Sequence, residues 1–111
     1  MAKLPHGERA SIDDRKIIAY LLNPSHRFGG AKAVFFERFG FTLDDWQGLR
    51  EALLLHAREN EVVSSEEQLH GEMYEVVGPL RSPDGRNPTV LVAWMIRHGE
   101  DSPRLVTAVP A

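Results

Sequence analysis

The chain has 111 residues, no cysteine, 42% apolar content and 13 Lys/Arg against 16 Asp/Glu; this length suits one core and this composition a globular fold, not a disordered chain. The missing thiols exclude a disulfide framework and thiolate metal sites and fit a reducing cytosol. With no signal peptide and nothing near the ~20 apolar residues of a membrane span, the expectation is a single cytoplasmic domain over residues 1–111.

Charge is unevenly spread. Residues 1–43 hold seven Lys/Arg against four Asp/Glu, residues 44–75 two against nine, and residues 76–111 four against three. A mildly basic surface can therefore lie apart from an acidic one. That field is smaller than nucleic-acid binders usually carry, so charge neither demands nor forbids an RNA partner.

In chain order, Leu4 to Ile12 reads as an extended arm or small hairpin turning at Gly7. Asp13 caps a first helix over Asp14 to Leu22 with an apolar stripe of Ile17, Ile18, Leu21 and Leu22, and Asn23-Pro24 ends it. After the loop from Ser25 to Gly30, a second helix turns Ala31, Val34, Phe35 and Phe39 inward and closes at Gly40. A third starts at Thr42, which with Asp45 forms a variant capping box, and buries Trp46, Leu49, Leu53 and Leu54 or Ala57.

Beyond Glu61 the period changes from helical to alternating. Strand segments at Tyr74–Val77, Thr89–Ile96 and Arg104–Val109 are separated by turns at Ser82-Pro83-Asp84-Gly85 and around Gly99. Thr89–Ile96 is apolar on both faces and is expected to be a central strand covered on both sides. The glutamates at 59, 61, 66, 67, 72 and 75 read first as a solvated connector, and otherwise as a carboxylate site or a face for a basic partner. The fold class is α+β: N-terminal helices packed on one face of a C-terminal three- or four-stranded antiparallel β-meander.

The chemistry-bearing segment runs from Asn23 to Lys32. Gly29 and Gly30 ahead of a helix can leave its first amides open to an anion. Lys32 opposes the helix dipole, a placement that suits a phosphate contact, and His26 can give or take a proton. These are ingredients of metal-independent RNA cleavage. The same residues also read as a tight turn with a solvated lysine. A second cluster, Arg86, Arg97, His98, Arg104 and Thr107, belongs to the meander, where arginines serve phosphate recognition or simply solvation. Trp46 and Trp94 fall in apolar runs and are assigned to the core. The five histidines lack zinc spacings and no nucleotide or serine-hydrolase motif is present, so no metal and no cofactor is expected.

Four segments resemble a family of small bacterial proteins, domain-of-unknown-function family 6883. They are Leu22-Asn23-Pro24-x-His26-x-x-Gly29-x-x-Lys32-Ala33-x-x-Phe36, Leu55-His56-Ala57-Arg58-Glu59-Asn60, Gly78-Pro79-Leu80-x-x-Pro83-Asp84-Gly85-Arg86, and Pro103-Arg104-Leu105-Val106-Thr107-Ala108. The order of elements is also similar to that of metal-independent RNase toxins of the barnase, EndoU, colicin and RelE-like group. The resemblance implies a toxin-like ribonuclease domain of a toxin-antitoxin-type system. His26 and Lys32 would act at the scissile phosphate, with Arg104 and Thr107 as phosphate or ribose contacts beside the substrate-binding amides already read at Gly29 and Gly30, and the partners would be RNA and a small antitoxin-like protein.

The chain departs from that pattern where an Arg and a Thr are replaced by Leu91 and Val92, and an aromatic by Val109. Those losses favour binding without cutting. The rival reading is a non-catalytic interaction module or homo-oligomer. Arg104 and Thr107, three apart on a strand, should face opposite ways unless a bulge intervenes.

Overall fold

The computed structural model describes residues 2–111. Four antiparallel strands, β1 (Val62–Gln68), β2 (Gly71–Pro79), β3 (Thr89–Arg97) and β4 (Arg104–Pro110), lie side by side in chain order. The meander is therefore four-stranded. β1 occupies the glutamate-rich stretch read as a connector; all but its first residue are exposed, so burial left no alternating pattern there.

Ahead of the sheet, a 3₁₀ turn at Gly7–Arg9 takes the place of the expected arm or hairpin. Asp13 caps α1 (Asp14–Lys16), its carboxylate accepting from the Arg15 amide at 2.9 Å. The helix then widens into a π turn over Ile17–Leu21, closed by the bond from the Leu22 amide to the Ile17 carbonyl. An extra residue in a turn resets the phase of the side chains beyond it. Ile17, Leu21 and Leu22 all bury, while Ile18, expected on the inner stripe, is exposed.

α2 (Gly30–Arg38) corrects its expected inner face: Ala33 and Phe36 are buried and Val34 is exposed, with Phe35 and Phe39 packed at the margin. Gly40, at φ 99°, ends it as expected. The Gly40 amide bonds the Glu37 carbonyl and the Phe41 amide the Phe36 carbonyl, so that Phe41 folds back on Phe36. This is a Schellman closure with its hydrophobic contact.

α3 (Trp46–Glu59) starts four residues later than the capping box suggests. Thr42 Oγ1 does accept from the Asp45 amide at 3.2 Å, but within the turn that precedes the helix. Leu49, Ala52, Leu53, His56 and Ala57 form its buried stripe. Trp46 is half-buried under the Arg50 guanidinium instead of deep in the core.

The helices cover one face of the sheet. Val76, Val90, Val92, Trp94, Leu105 and Ala108 join the helical side chains in one core. Leu91 and Met95 on the other face of β3 stay half-exposed, which overturns the expectation of a strand covered on both sides. Of the replaced positions, Leu91 pairs with Val77 and Val109 on this less covered face, and Val92 lies in the core. Among the described residues, no helix is long and apolar enough to cross a membrane.

Candidate functional site beside the last strand

The register of β3 and β4 shifts between Ala93 and Trp94: Ala93 opposes Thr107 and Trp94 opposes Leu105. Val106 is therefore a bulged residue with no partner. The extra residue lets Leu105 and Ala108, three apart, both bury. It also puts Arg104 and Thr107 on one side of the strand by register, opposite Met95 and Ala93. Lys16 Nζ donates to the bulged Val106 carbonyl at 3.2 Å, tying α1 to this edge.

Tyr20, on the π turn, is the side chain around which the others gather. Its hydroxyl lies 3.0 Å from Thr107 Oγ1. Lys16 Nζ stands 5.4 Å and Lys32 Nζ 5.2 Å from its ring centroid. His26 meets the ring edge-on, with centroids 4.9 Å apart. Asp13, Arg15, Lys16, Ala19, Tyr20 and His26 line a shallow hollow of about 330 Å³ here.

Burial opposes ionisation of the Tyr20 phenol, yet the Thr107 hydrogen bond and the Lys32 and Lys16 ammonium charges outweigh it, and its pKa is lowered from the ordinary 10.0. Two cations and a hydrogen bond thus favour the phenolate.

The loop that carries His26 is built around its ring. Nδ1 accepts from the Phe28 amide at 3.0 Å and from the Gly29 amide at 2.9 Å. A neutral ring accepting at Nδ1 bears its proton on Nε2, so His26 offers a donor, not a base, to the hollow. The Gly29 amide is thereby engaged, and the Gly30 amide bonds the His26 carbonyl. The expected role of these two amides as open anion contacts is not available in this arrangement.

Close packing is what the glycines supply. A Cβ on Gly29 would stand 2.4 Å from the Tyr20 carbonyl oxygen and 2.7 Å from its ring, and one on Gly30 2.6 Å from the Pro24 carbonyl oxygen. Lys32 folds back to donate to the Phe28 carbonyl at 3.0 Å, with its ammonium still beside Tyr20.

Of the residues expected to form a site, His26, Lys32, Gly29 and Thr107 gather around Tyr20. Arg104 does not join them. Its guanidinium pairs with Glu100 at 3.1 Å and lines a neighbouring groove that Lys16 also borders. Arg86 is structural: it binds Asp84, donates to the Arg38 carbonyl and stacks on Phe39. Sequence reasoning missed Tyr20 and Lys16. Their i, i+4 spacing was the only local signal, since Thr107 is 87 residues away from Tyr20.

Among the described residues, no group of three or more His, Asp or Glu side chains is arranged to hold a metal ion.

Among solved structures, a chain of the contact-dependent growth inhibition toxin–immunity protein complex from Klebsiella pneumoniae 342 is similar to this one. The TM-score is 0.72 and the identity 17%, over 95% of this chain and 96% of that chain. At that identity the likeness is one of fold. No curated protein sequence matches. The profile of the domain of unknown function DUF6883 matches residues 3–111, so the chain belongs to the DUF6883 family.

Proposed function

We propose that this chain is a toxin-like domain that cleaves RNA at the Tyr20 hollow without a metal, and that a small antitoxin-like or immunity-like protein restrains it. The observation that carries the reading is the convergence of His26, Lys16, Lys32 and Thr107 on one phenol whose pKa is lowered. The rival reading is a non-catalytic interaction module; the gathering of His26 and Lys32 at Tyr20 supports the first reading, and the separate position of Arg104, paired with Glu100, supports the second.

In the proposed reaction the RNA 2′-hydroxyl gives its proton to the Tyr20 phenolate. The freed oxygen attacks phosphorus, the bond to the 5′-oxygen breaks, the departing oxygen takes a proton from water, and the hydroxide so formed takes back the proton held on Tyr20, restoring the phenolate. Lys16 and Lys32 hold the negative charge of the phosphate, and His26 donates Nε2–H to one of its oxygens. This moves the proton-accepting role from His26 to Tyr20 and keeps Lys32 at the phosphate. Arg104, in the adjoining groove, suits a contact to a flanking phosphate.

The test is cleavage of end-labelled RNA in chelator by the full chain and by Tyr20→Phe, His26→Ala and Lys32→Ala. Tyr20→Phe should lower the rate by about 10²–10⁴-fold, the usual worth of a positioned proton carrier. Wild-type protein that leaves RNA intact, or a Tyr20→Phe variant as active as wild type, sinks the reading.

A further inference from the structure

We propose that β1 is a docking edge that accepts an extended, Lys/Arg-rich strand of a partner protein in antiparallel pairing. The inference does not depend on the cleavage reading, because it concerns the opposite edge of the sheet, three strand spacings or about 14 Å from β4.

An edge strand carries a row of unpaired main-chain donors and acceptors. At β4 the chain covers the first three residues: Ser11 forms a parallel bridge to Arg104, the Leu105 amide bonds the Ser11 carbonyl, and Lys16 takes the Val106 carbonyl. At β1 only the first residue is covered, by the bond from the Val62 amide to the Ala2 carbonyl. Among the described residues, 63–68 make no main-chain hydrogen bond except to β2.

The pairing of Gln68 with Gly71 across a two-residue turn sets the alternation along this strand. By that alternation Ser65 and Glu67 turn their amide and carbonyl groups outward. The one bulge lies at Val63, so 64–68 continue without interruption. There is no proline or lysine in β1 to blunt pairing.

Charge selects the occupant. Residues 61–79 hold five glutamates, at 61, 66, 67, 72 and 75, and no Lys or Arg. Among the described residues none of the five has an ion pair, whereas Glu59, Glu100, Asp14, Asp84 and Asp101 each have an arginine. A second copy of this edge would bring Glu66 and Glu67 against their like, and a nucleic acid would bring phosphates. A basic strand gains both the main-chain ladder and the carboxylates, a strand-addition mode of recognition. Val63 and Leu69, 52% and 85% exposed, offer apolar contacts at its two ends.

The test titrates the full chain against a fluorescent twelve-residue peptide alternating Lys with Thr and Val. Controls are the same peptide N-methylated at alternate main-chain amides, its Glu-for-Lys counterpart and a short single-stranded RNA. Saturable binding of the basic peptide is expected, with slowed hydrogen exchange at the Ser65 and Glu67 amides.

N-methylation of the peptide, and separately Glu66→Lys with Glu67→Lys in the protein, should each weaken binding about tenfold or more. Ser65→Pro, which removes an outward donor, should do the same wherever its circular dichroism is unchanged. No saturable binding, equal binding of the N-methylated peptide, or preference for the RNA overturns the proposal. So does a concentration-dependent dimer of the wild type that Ser65→Pro abolishes, since that assigns the edge to self-pairing.

Discussion

At one edge of the sheet Ser11, Lys16 and Tyr20 close over the start of β4 and its bulge, while at the other, among the described residues, the exposed residues of β1 meet no further main chain and their glutamates have no ion pair. Both edges pose the same physical problem, unpaired peptide groups beside water. At β4 the solution brings two ammonium groups and a phenol together, and chemistry becomes possible. At β1 only carboxylates guard the strand, which leaves it able to pair with a chain of opposite charge. Under the two proposals, one small domain keeps the proposed cleavage edge and the proposed docking edge apart.

The largest expected effect tests the closed edge. Tyr20→Phe should remove most RNA cleavage, a loss of about 10²–10⁴-fold, and cost about 1 kcal/mol of stability for the lost hydrogen bond to Thr107. Thermal melts beside the cleavage assay separate the two. A large drop in melting temperature with unchanged specific activity would make Tyr20 a structural clamp.

Next comes Gly29→Ala. The added Cβ meets main chain as well as the Tyr20 ring, so neither a rotamer change nor a small shift relieves both contacts. Destabilisation of about 1–3 kcal/mol is expected in urea unfolding. At Gly85, where a Cβ has open space, the left-handed φ of 79° is the only obstacle. Gly85→Ala should therefore cost less, about 1–2 kcal/mol. Equal costs at the two sites would mean that the Tyr20 packing is loose.

These glycines also show how far the sequence could be read. Helix, strand and turn chemistry was legible at Asp13, Gly40, Gly85 and Val90 to Ile96 because each acts locally or through burial. β1 was not legible: a strand exposed on every side leaves no hydrophobic period, and Ser64 to Gln68 looks like any soluble connector. The π turn was invisible for a related reason, since one extra residue resets the helical phase after Ile17. His26, Lys32, Gly29 and Thr107 were singled out from motif and resemblance, and the fold brings them near one another. Their common centre was not, because Tyr20 reaches Thr107 only in the folded chain.

A third test concerns the core that both edges share. His56 is buried, its Nε2 lies 3.1 Å from the Gly78 carbonyl oxygen and, among the described residues, its Nδ1 has no hydrogen-bond partner. Burial holds its pKa below the ordinary 6.5. The unfolded chain therefore takes up a proton that the folded one refuses. Stability is full above about pH 6.5 and falls as pH drops from there toward the lowered folded value, by at most about 1.4 kcal/mol per pH unit from this group. Urea unfolding between pH 8 and 5 should show the decline, and His56→Leu should flatten it. An unchanged slope would place the acid sensitivity elsewhere.

The smallest effect is the most specific. Lys16→Met leaves the Val106 carbonyl to water at a half-exposed site, a loss of about 0.5–1.5 kcal/mol. The same change removes one of the charges that favour the Tyr20 phenolate. If the phenolate is the active form, the cleavage rate of the wild type rises with pH through a midpoint below 10, and Lys16→Met moves that midpoint upward. Glu66→Lys with Glu67→Lys, on the far edge, should leave it in place. A midpoint indifferent to Lys16 would mean that the titrating group lies outside the hollow, whatever Tyr20→Phe does to the rate. A midpoint that moves with both variants would mean that the two edges share one electrostatic field, and that a partner strand on β1 would tune the chemistry at β4.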